Sequence, residues 1–307
     1  MANTTNSAHP HILFATDRAP GTEEHLAFAA SLANKLGARL TLYHAVPAVA
    51  PIMTAPLAES PADAVEPFAQ VQRAIAETAG TLATDRPVAI EVEQVPHVKD
   101  AILAAASRLA ADLIVLPTHG RSGLSRLVLG SVAEEVVRSA TLPVLLLTDN
   151  MLANVGPAGE VEGPMVVATD LSLESIDAHQ AAVALSRRLD LRVRLLSVVT
   201  DPLPLPVVGG VAVVPEAADP QPAIETRTKR LHELALAIDS KTPIEVEAYV
   251  AHDPVDTIVG RAQQLHAPFL VLTTHGRRGI VRMLEGSVAE QVVRRASTPV
   301  LVMPVAR

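Results

Sequence analysis

Residues 118–147 and 274–303, aligned at a constant offset of 156, are identical at 18 of 30 positions. Shared helix and strand patterning alone does not give that density, so the chain carries two copies of one module. The first copy opens T-H-G-R-S-G-L-S-R-L-V-L-G-S from Thr118 to Ser131, and the second opens T-H-G-R-R-G-I-V-R-M-L-E-G-S from Thr274 to Ser287. Each follows a short apolar run (Leu113 to Leu116; Phe269 to Leu272), and each leads through a helix-like stretch to another apolar run behind a proline, Pro143 or Pro299. A length of 307 residues divides into two modules of about 150, each large enough to bury its own core.

Ahead of each glycine loop the pattern alternates strand and helix. In the first copy the apolar runs predict strands at 11–16, 39–46, 88–95, 113–116 and 144–147, with helices over 22–36, 68–84 and 99–110 and from Val132. Five strands separated by four helices is the pattern of a parallel sheet covered on both faces. The second copy repeats it, with strands at 165–169, 191–199, 244–250 and 269–272 and after Pro299, and helices over 173–189, up to Ile238 and over 255–265. Residues 148–163 have no periodicity and carry three glycines and a proline. The expected boundaries are therefore 1–148 for the first domain, 149–163 for a linker and 164–307 for the second domain. Two Pro-rich excursions, 47–67 and 201–222, read as irregular lids or contact surfaces.

Composition excludes several classes of function. A formal charge of −8 is wrong for a nucleic-acid surface, and four Phe, two Tyr and no Trp leave no stacking platform for single strands. The absence of cysteine removes disulfides, thiol nucleophiles and thiolate metal sites. No apolar run reaches membrane-spanning length and the N-terminus lacks a signal-peptide pattern, so no membrane span and a cytoplasmic location are expected.

The chemistry-bearing residues sit at strand ends. Asp17 and Asp170 end the first strand of each copy, and the glycine loops follow the fourth. In a doubly wound sheet these ends meet at the crevice where strand order reverses, which is where ligands bind. There the Asp accepts hydrogen bonds from a base or a ribose, while loop amides and a helix N-terminus receive phosphate. A plainer reading stands beside this one. Ser131-Val-Ala-Glu134 and Ser287-Val-Ala-Glu290 are capping boxes that start a helix with no ligand, and each Asp equally caps its own turn. His119 and His275 either face a phosphate or fix the turn, and one His per site makes no metal centre, so no structural metal is expected. The chain has no P-loop, no G-x-G-x-x-G after the first strand and no G-x-S-x-G. It also lacks an acid/base pair common to both copies, so no catalytic residue is assigned.

The pattern T-H-G, nine residues, G-S, followed by V-A-E-x-V-V-R and x-x-P-V-L, with A-T-D after the first strand, resembles the universal stress protein family over nearly the whole chain. The resemblance implies an α/β fold of two tandem Rossmann-like (adenine nucleotide α-hydrolase-like) domains, each a five-stranded parallel sheet of strand order 3-2-1-4-5. It further implies a non-catalytic stress-response protein that binds an adenine nucleotide, ATP, in at least one half. A homodimer or an intramolecular pairing of the two domains would accompany it. Carried over by position, the nucleotide contacts fall on Asp17, Ala45, His119, Gly120, Gly130, Ser131 and Val132. In the second half they fall on Asp170, Val198, His275, Gly276, Gly286, Ser287 and Val288. Both halves depart from the family pattern at its first loop glycine, which is Pro117 in one and Thr273 in the other, and Glu285 adds a carboxylate beside the second loop. These departures support an alternative, a stress-response scaffold that binds no nucleotide.

Overall fold

The computed structural model describes residues 9–18, 22–48, 68–118, 130–147, 151, 163–200, 207–208, 211–212, 219–274 and 288–305. The chain divides into two compact units, Met1–Glu160 and Val161–Arg307.

In the first unit the elements run β1 (His11–Ala15), α1 (Thr22–Leu36), β2 (Arg39–Pro47), α2 (Phe68–Gly80), β3 (Ala89–Val95), α3 (Val98–Arg108), β4 (Leu113–Pro117), α4 (Ser131–Ser139) and β5 (Val144–Leu147). The sheet order is β3-β2-β1-β4-β5 and every pairing is parallel. A strand in the middle of such a sheet meets helices on both faces, which is why β1 is buried throughout and β4 nearly so. Helix α1 turns Leu26, Ala29, Ala30, Ala33 and Leu36 inward at helical spacing and stops at Gly37, whose φ of +59° suits glycine. Strand β3, which pairs only with β2 in this unit, is half-exposed and carries charge: the Arg108 guanidinium bridges Glu91 at 2.8 Å and Glu93 at 2.6 Å. Charged side chains on such a strand discourage unwanted strand addition.

The second unit repeats the plan with β6 (Met165–Ala168), a 3-10 turn (Leu173–Ser175), α5 (Ile176–Arg188), β7 (Val193–Thr200), α6 (Gln221–Ile238), β10 (Ile244–Ala251), α7 (Pro254–Gln264), β11 (Leu270–Thr274), α8 (Val288–Arg295) and β12 (Val300–Pro304). Its order, β10-β7-β6-β11-β12, is again parallel and is that of the first unit. Strand β10 has its own ion cluster, in which Glu247 accepts from Arg261 at 2.6 Å and from Arg194.

Several expected boundaries shift, each for a local reason. The helix expected over 68–84 ends at Gly80, where the Thr81 hydroxyl and amide both turn back to the Thr78 carbonyl. The helix expected from residue 173 begins as a 3-10 turn and becomes α-helical at Ile176. Within the excursion expected over 201–222, Val207–Val208 (β8) and Val211–Ala212 (β9) form a short antiparallel ribbon; its other residues up to 218, and residues 49–67 of the first excursion, lie outside the described residues. Of the expected linker 149–163, only Met151 and Gly163 are described, and Met151 is fully buried. Among the described residues no helix is long and apolar enough to cross a membrane.

Gly163 stands at the start of β6 with φ of +96°, and a Cβ there would meet the carbonyl oxygen of His266 at 2.6 Å and that of Leu265 at 3.0 Å. Neither the conformation nor the space admits a side chain. Gly163→Ala is expected to destabilise the second unit by roughly 2–4 kcal/mol, read as a lowered urea midpoint at unchanged m-value.

Candidate functional site

The site is built on the turn that ends the first strand of each unit. In the first unit β1 stops pairing with β4 at Phe14↔Val115, and the Thr16 amide swings to the Tyr43 carbonyl at 2.9 Å. The chain then turns through Asp17 into Arg18, whose φ is +60°. Arg18 donates its amide to the Thr16 hydroxyl at 3.0 Å, and His44 donates Nδ1–H to the Thr16 carbonyl at 2.7 Å. A carbonyl only accepts, so this bond assigns the His44 proton to Nδ1. The second unit repeats the device. Leu171 has φ of +69°, its amide donates to the Thr169 hydroxyl at 3.0 Å, and Ser197 on β7 donates to the Thr169 carbonyl at 2.7 Å. Two non-glycine residues held in the left-handed region at equivalent positions show that the turn geometry is imposed by its surroundings.

Around the first turn lies a cavity of about 330 Å³, within the range of small-molecule sites. Asp17 stands at one side, and Gly130, Ser131, Val132 and Ala133 at the start of α4 stand at another. Between them the wall is formed by Tyr43, Ala45 and Pro47 of β2, Val98 and Ile102 of α3, and Leu116 to Thr118. Thr118 is anchored by its amide and its hydroxyl, both donating to the Leu147 carbonyl at 2.8 and 3.1 Å. Buried Tyr43 donates its hydroxyl to Glu93 at 3.0 Å, and burial together with that carboxylate pushes the phenol up. The walls are therefore largely apolar, with Tyr43, His44 and Thr118 as polar members between the Asp17 and Ser131 ends.

The start of α4 differs from the expected capping box. The helix is capped by Gly130, whose carbonyl accepts from Glu134 at 3.0 Å; Ser131 is the first helical residue, and the Glu134 carboxylate pairs with Arg138 at 2.6 Å one turn on. Ser131 is therefore no N-cap, and the amides of Ser131, Val132 and Ala133 have no acceptor within the helix, an arrangement that favours an anion. Gly130 has an ordinary φ of −58°, and among the described residues a Cβ on it would meet the Thr118 carbonyl oxygen at 3.5 Å. Neither its backbone conformation nor the described residues around it demand glycine at that position.

Of the residues carried over from the family pattern, the structure brings Asp17, Ala45, Gly130, Ser131 and Val132 to one cavity. His119 and Gly120 lie outside the described residues, as do His275, Gly276, Gly286 and Ser287. In the second unit the β6–β7 register sets Asp170 and Val198 at neighbouring strand ends, while Val288 opens α8. Asp170 caps its own turn, accepting from the Ser172 amide at 2.9 Å. Sequence reasoning missed His44, Pro47, Val98 and Ile102. Their one available signal was position, at or just past the carboxyl ends of neighbouring strands.

Pro117 and Thr273 occupy equivalent places in their strands. The amides of Ile114 and Thr118 go to β5, so the Pro117 nitrogen faces β1, which has already ended. Proline therefore costs the sheet no ladder bond there, but it presents no N–H to the crevice. Thr273 is nearly buried and its hydroxyl donates to Ser175 at 3.2 Å; Ser175 in turn shares a 2.8 Å bond with Ser172. Among the described residues no group of three or more His, Asp or Glu is placed to hold a metal ion.

A parallel sheet of strand order 3-2-1-4-5, duplicated within one chain and with a cavity at the carboxyl ends of the central strands of its first copy, defines a protein of the Rossmann-like α/β class. A family model for the universal stress protein family matches residues 9–148 and 163–304, and the chain belongs to that family. It is 26% identical over 300 residues to a universal stress protein of Mycolicibacterium smegmatis, covering 95% of this chain and 96% of that one. It is 31% identical over 144 residues to the universal stress protein MJ0531 of Methanocaldococcus jannaschii, covering 45% of this chain and 80% of that one. In fold it is similar to the crystal structure of a universal stress protein from Archaeoglobus fulgidus, with a TM-score of 0.59 at 17% identity over 96% of each chain.

On α5, just beyond the Asp170 turn, His179 is fully buried, and neither ring nitrogen has a hydrogen-bond partner among the described residues. Burial pushes its imidazole down to about 4, with the Asp170 carboxylate pulling the other way. The folded state thus keeps it neutral at a pH where the unfolded chain has taken up a proton. That contribution to stability is intact above the ordinary histidine value near 6.5 and is lost as pH falls toward 4. Unfolding free energy of the second unit is expected to drop by about 3 kcal/mol over that window. His179→Leu should flatten this part of the pH profile measured by urea titration.

Proposed function

We propose that the first half of this universal stress protein binds an adenine nucleotide, ATP, and that the protein acts in stress response without catalysing a reaction of its own. The observation that carries this reading is the cavity that gathers Asp17, Ala45, Gly130, Ser131 and Val132. Its chemistry suits such a ligand end to end. A carboxylate at the Asp17 side accepts from hydroxyl or amino donors, the apolar walls accept a flat base, and the open amides of α4 receive phosphate. The non-catalytic part of the reading follows the family resemblance, and no residue of the lining is given a catalytic role in it. In this reading the protein is cytoplasmic and works as a homodimer or through pairing of its two domains, with residues 1–148 and 164–307 as the modules.

Pro117 favours a second reading, a scaffold that keeps the family loop for folding alone, because it takes a backbone donor away from the crevice. The two are separated by releasing and assaying bound nucleotide from the purified protein and by titrating ATP calorimetrically. The first reading expects nucleotide to be found, Asp17→Ala to weaken ATP binding tenfold or more, and Gly130→Glu to abolish it while Gly130→Ala keeps normal thermal stability. No released nucleotide, together with no heat and no thermal shift at millimolar ATP, would establish the scaffold.

A further inference from the structure

The start of α5 holds a histidine where an apolar side chain would cost less. His179, the fourth residue of the helix, is fully buried. A neutral imidazole carries one N–H donor and one acceptor nitrogen, and neither has a partner among the described residues. Keeping such a group out of water is unfavourable, so its place calls for a reason. The first unit also has a buried histidine there, His25, the fourth residue of α1. The feature therefore belongs to the module and not to one copy of it.

The elements around α5 offer a proton on that ring little to pair with. The helix packs chiefly against the 3-10 turn, β6, β11, β12 and α6. The three strands, MVVA, LVLTT and VLVMP, contain no titratable side chain. Glu174 on the 3-10 turn is exposed, as are Asp177, Arg187 and Arg188 of α5 itself. Helix α6 turns Glu225, Lys229, Arg230, His232 and Glu233 to solvent and holds Arg227 half-buried. Arg227 donates Nε to the Ser197 hydroxyl at 2.9 Å and Nη2 to the Asp170 carbonyl at 3.3 Å. The charge that acts on His179 is the Asp170 carboxylate. That carboxylate already accepts from the Ser172 amide at 2.9 Å and lies in the field of Arg227.

We infer that His179 is an acid-operated latch: neutral, it sits under a closed Asp170 turn, and on taking up a proton it releases that turn while the sheet of the second unit stays folded. An imidazolium has two donors and no acceptor. To be satisfied it must either draw the Asp170 carboxylate off the Ser172 amide or reach water, and each course opens the turn. The cover is thin enough to lift alone. Leu173 is 77% exposed, and Ser175 is tied through hydroxyls, to Ser172 at 2.8 Å and to Thr273 at 3.2 Å. Burial holds the imidazole down at about 4, and lifting the turn returns it to the ordinary 6.5. An opening that wets the ring is therefore favoured about 30-fold more at pH 5 than at pH 7.5.

The test is amide hydrogen exchange read residue by residue by NMR on the full chain at pH 7.5 and pH 5, each rate divided by its intrinsic value at that pH. At pH 7.5 the Leu171, Ser172 and Ser175 amides, all hydrogen-bonded within the turn, should be protected at least tenfold less than the ladder amides of Val166 and Leu270, which marks a local opening. At pH 5 their protection should fall about 30-fold. In His179→Gln, which keeps a polar side chain without a titrating ring, it should change less than threefold. Equal protection of turn and ladder overturns the inference, since global unfolding alone would then expose the ring. So does a turn equally protected at both pH values, or a pH effect that survives in His179→Gln. Should that variant fail to fold, the His179 Cε1–H resonance of the unaltered chain decides. A midpoint near 4 with concurrent shifts at the Leu171 and Ser172 amides supports the latch. A midpoint at the ordinary 6.5, or titration without those shifts, overturns it.

Discussion

Everything at the crevice depends on one backbone carbonyl, that of the threonine closing the first strand of each unit. The ladder with β2 or β7 ends there, the threonine amide making its last bond to the Tyr43 or Leu196 carbonyl, so the threonine carbonyl leaves the ladder while still buried, and a buried acceptor without a donor is costly. His44 in one unit and Ser197 in the other supply the donor. Once that bond is made, the next two residues have little choice. The amide two positions on bonds back to the threonine hydroxyl, the backbone passes through the left-handed region at Arg18 or Leu171, and the intervening aspartate is fixed at the strand end. A carboxylate is thus presented at the strand end as a by-product of satisfying the main chain.

The order of elements was legible in the sequence because it rests on long signals. Apolar runs such as 11–15 and 144–147 are buried on both faces and tolerate nothing else, and the duplicated loop supplied an independent check on the pattern. Ends of elements were less legible because they are set by single hydrogen bonds. Ser131-x-x-Glu134 has every residue of a capping box, yet Gly130 takes the cap and Glu134 turns to Arg138. An i,i+4 arginine competed for the carboxylate, and spacing alone does not reveal which partner wins. Half of the candidate site was readable as well, since Asp17 and the 130–132 segment belong to recognisable motifs. The walls were not. Val98 and Ile102 look like any inward helix positions, and only the strand order brings them opposite Asp17.

The departures from the family loop also gain a physical meaning. Pro117 costs the sheet nothing because its nitrogen points past the end of β1, so the substitution was structurally cheap and its whole effect falls on the crevice. Thr273 is absorbed differently, its hydroxyl drawn into a chain with Ser175 and Ser172. The same position has become an apolar wall in one copy and part of a polar tether in the other.

The different donors on β2 and β7 bear on how such a duplicated gene can change. Stretches of the two copies are alike enough to exchange by recombination, but the pairs His44 with the small side chains of α2, and Ser197 with Arg227 of α6, lie in different elements. A crossover that exchanged the strand without the helix would put an imidazole against a guanidinium in one half and leave an unfilled void in the other, at a cost of about 1–3 kcal/mol for each stranded polar group. The two halves can drift together only by moving strand and helix as one block, which keeps them distinct despite their shared loop motif.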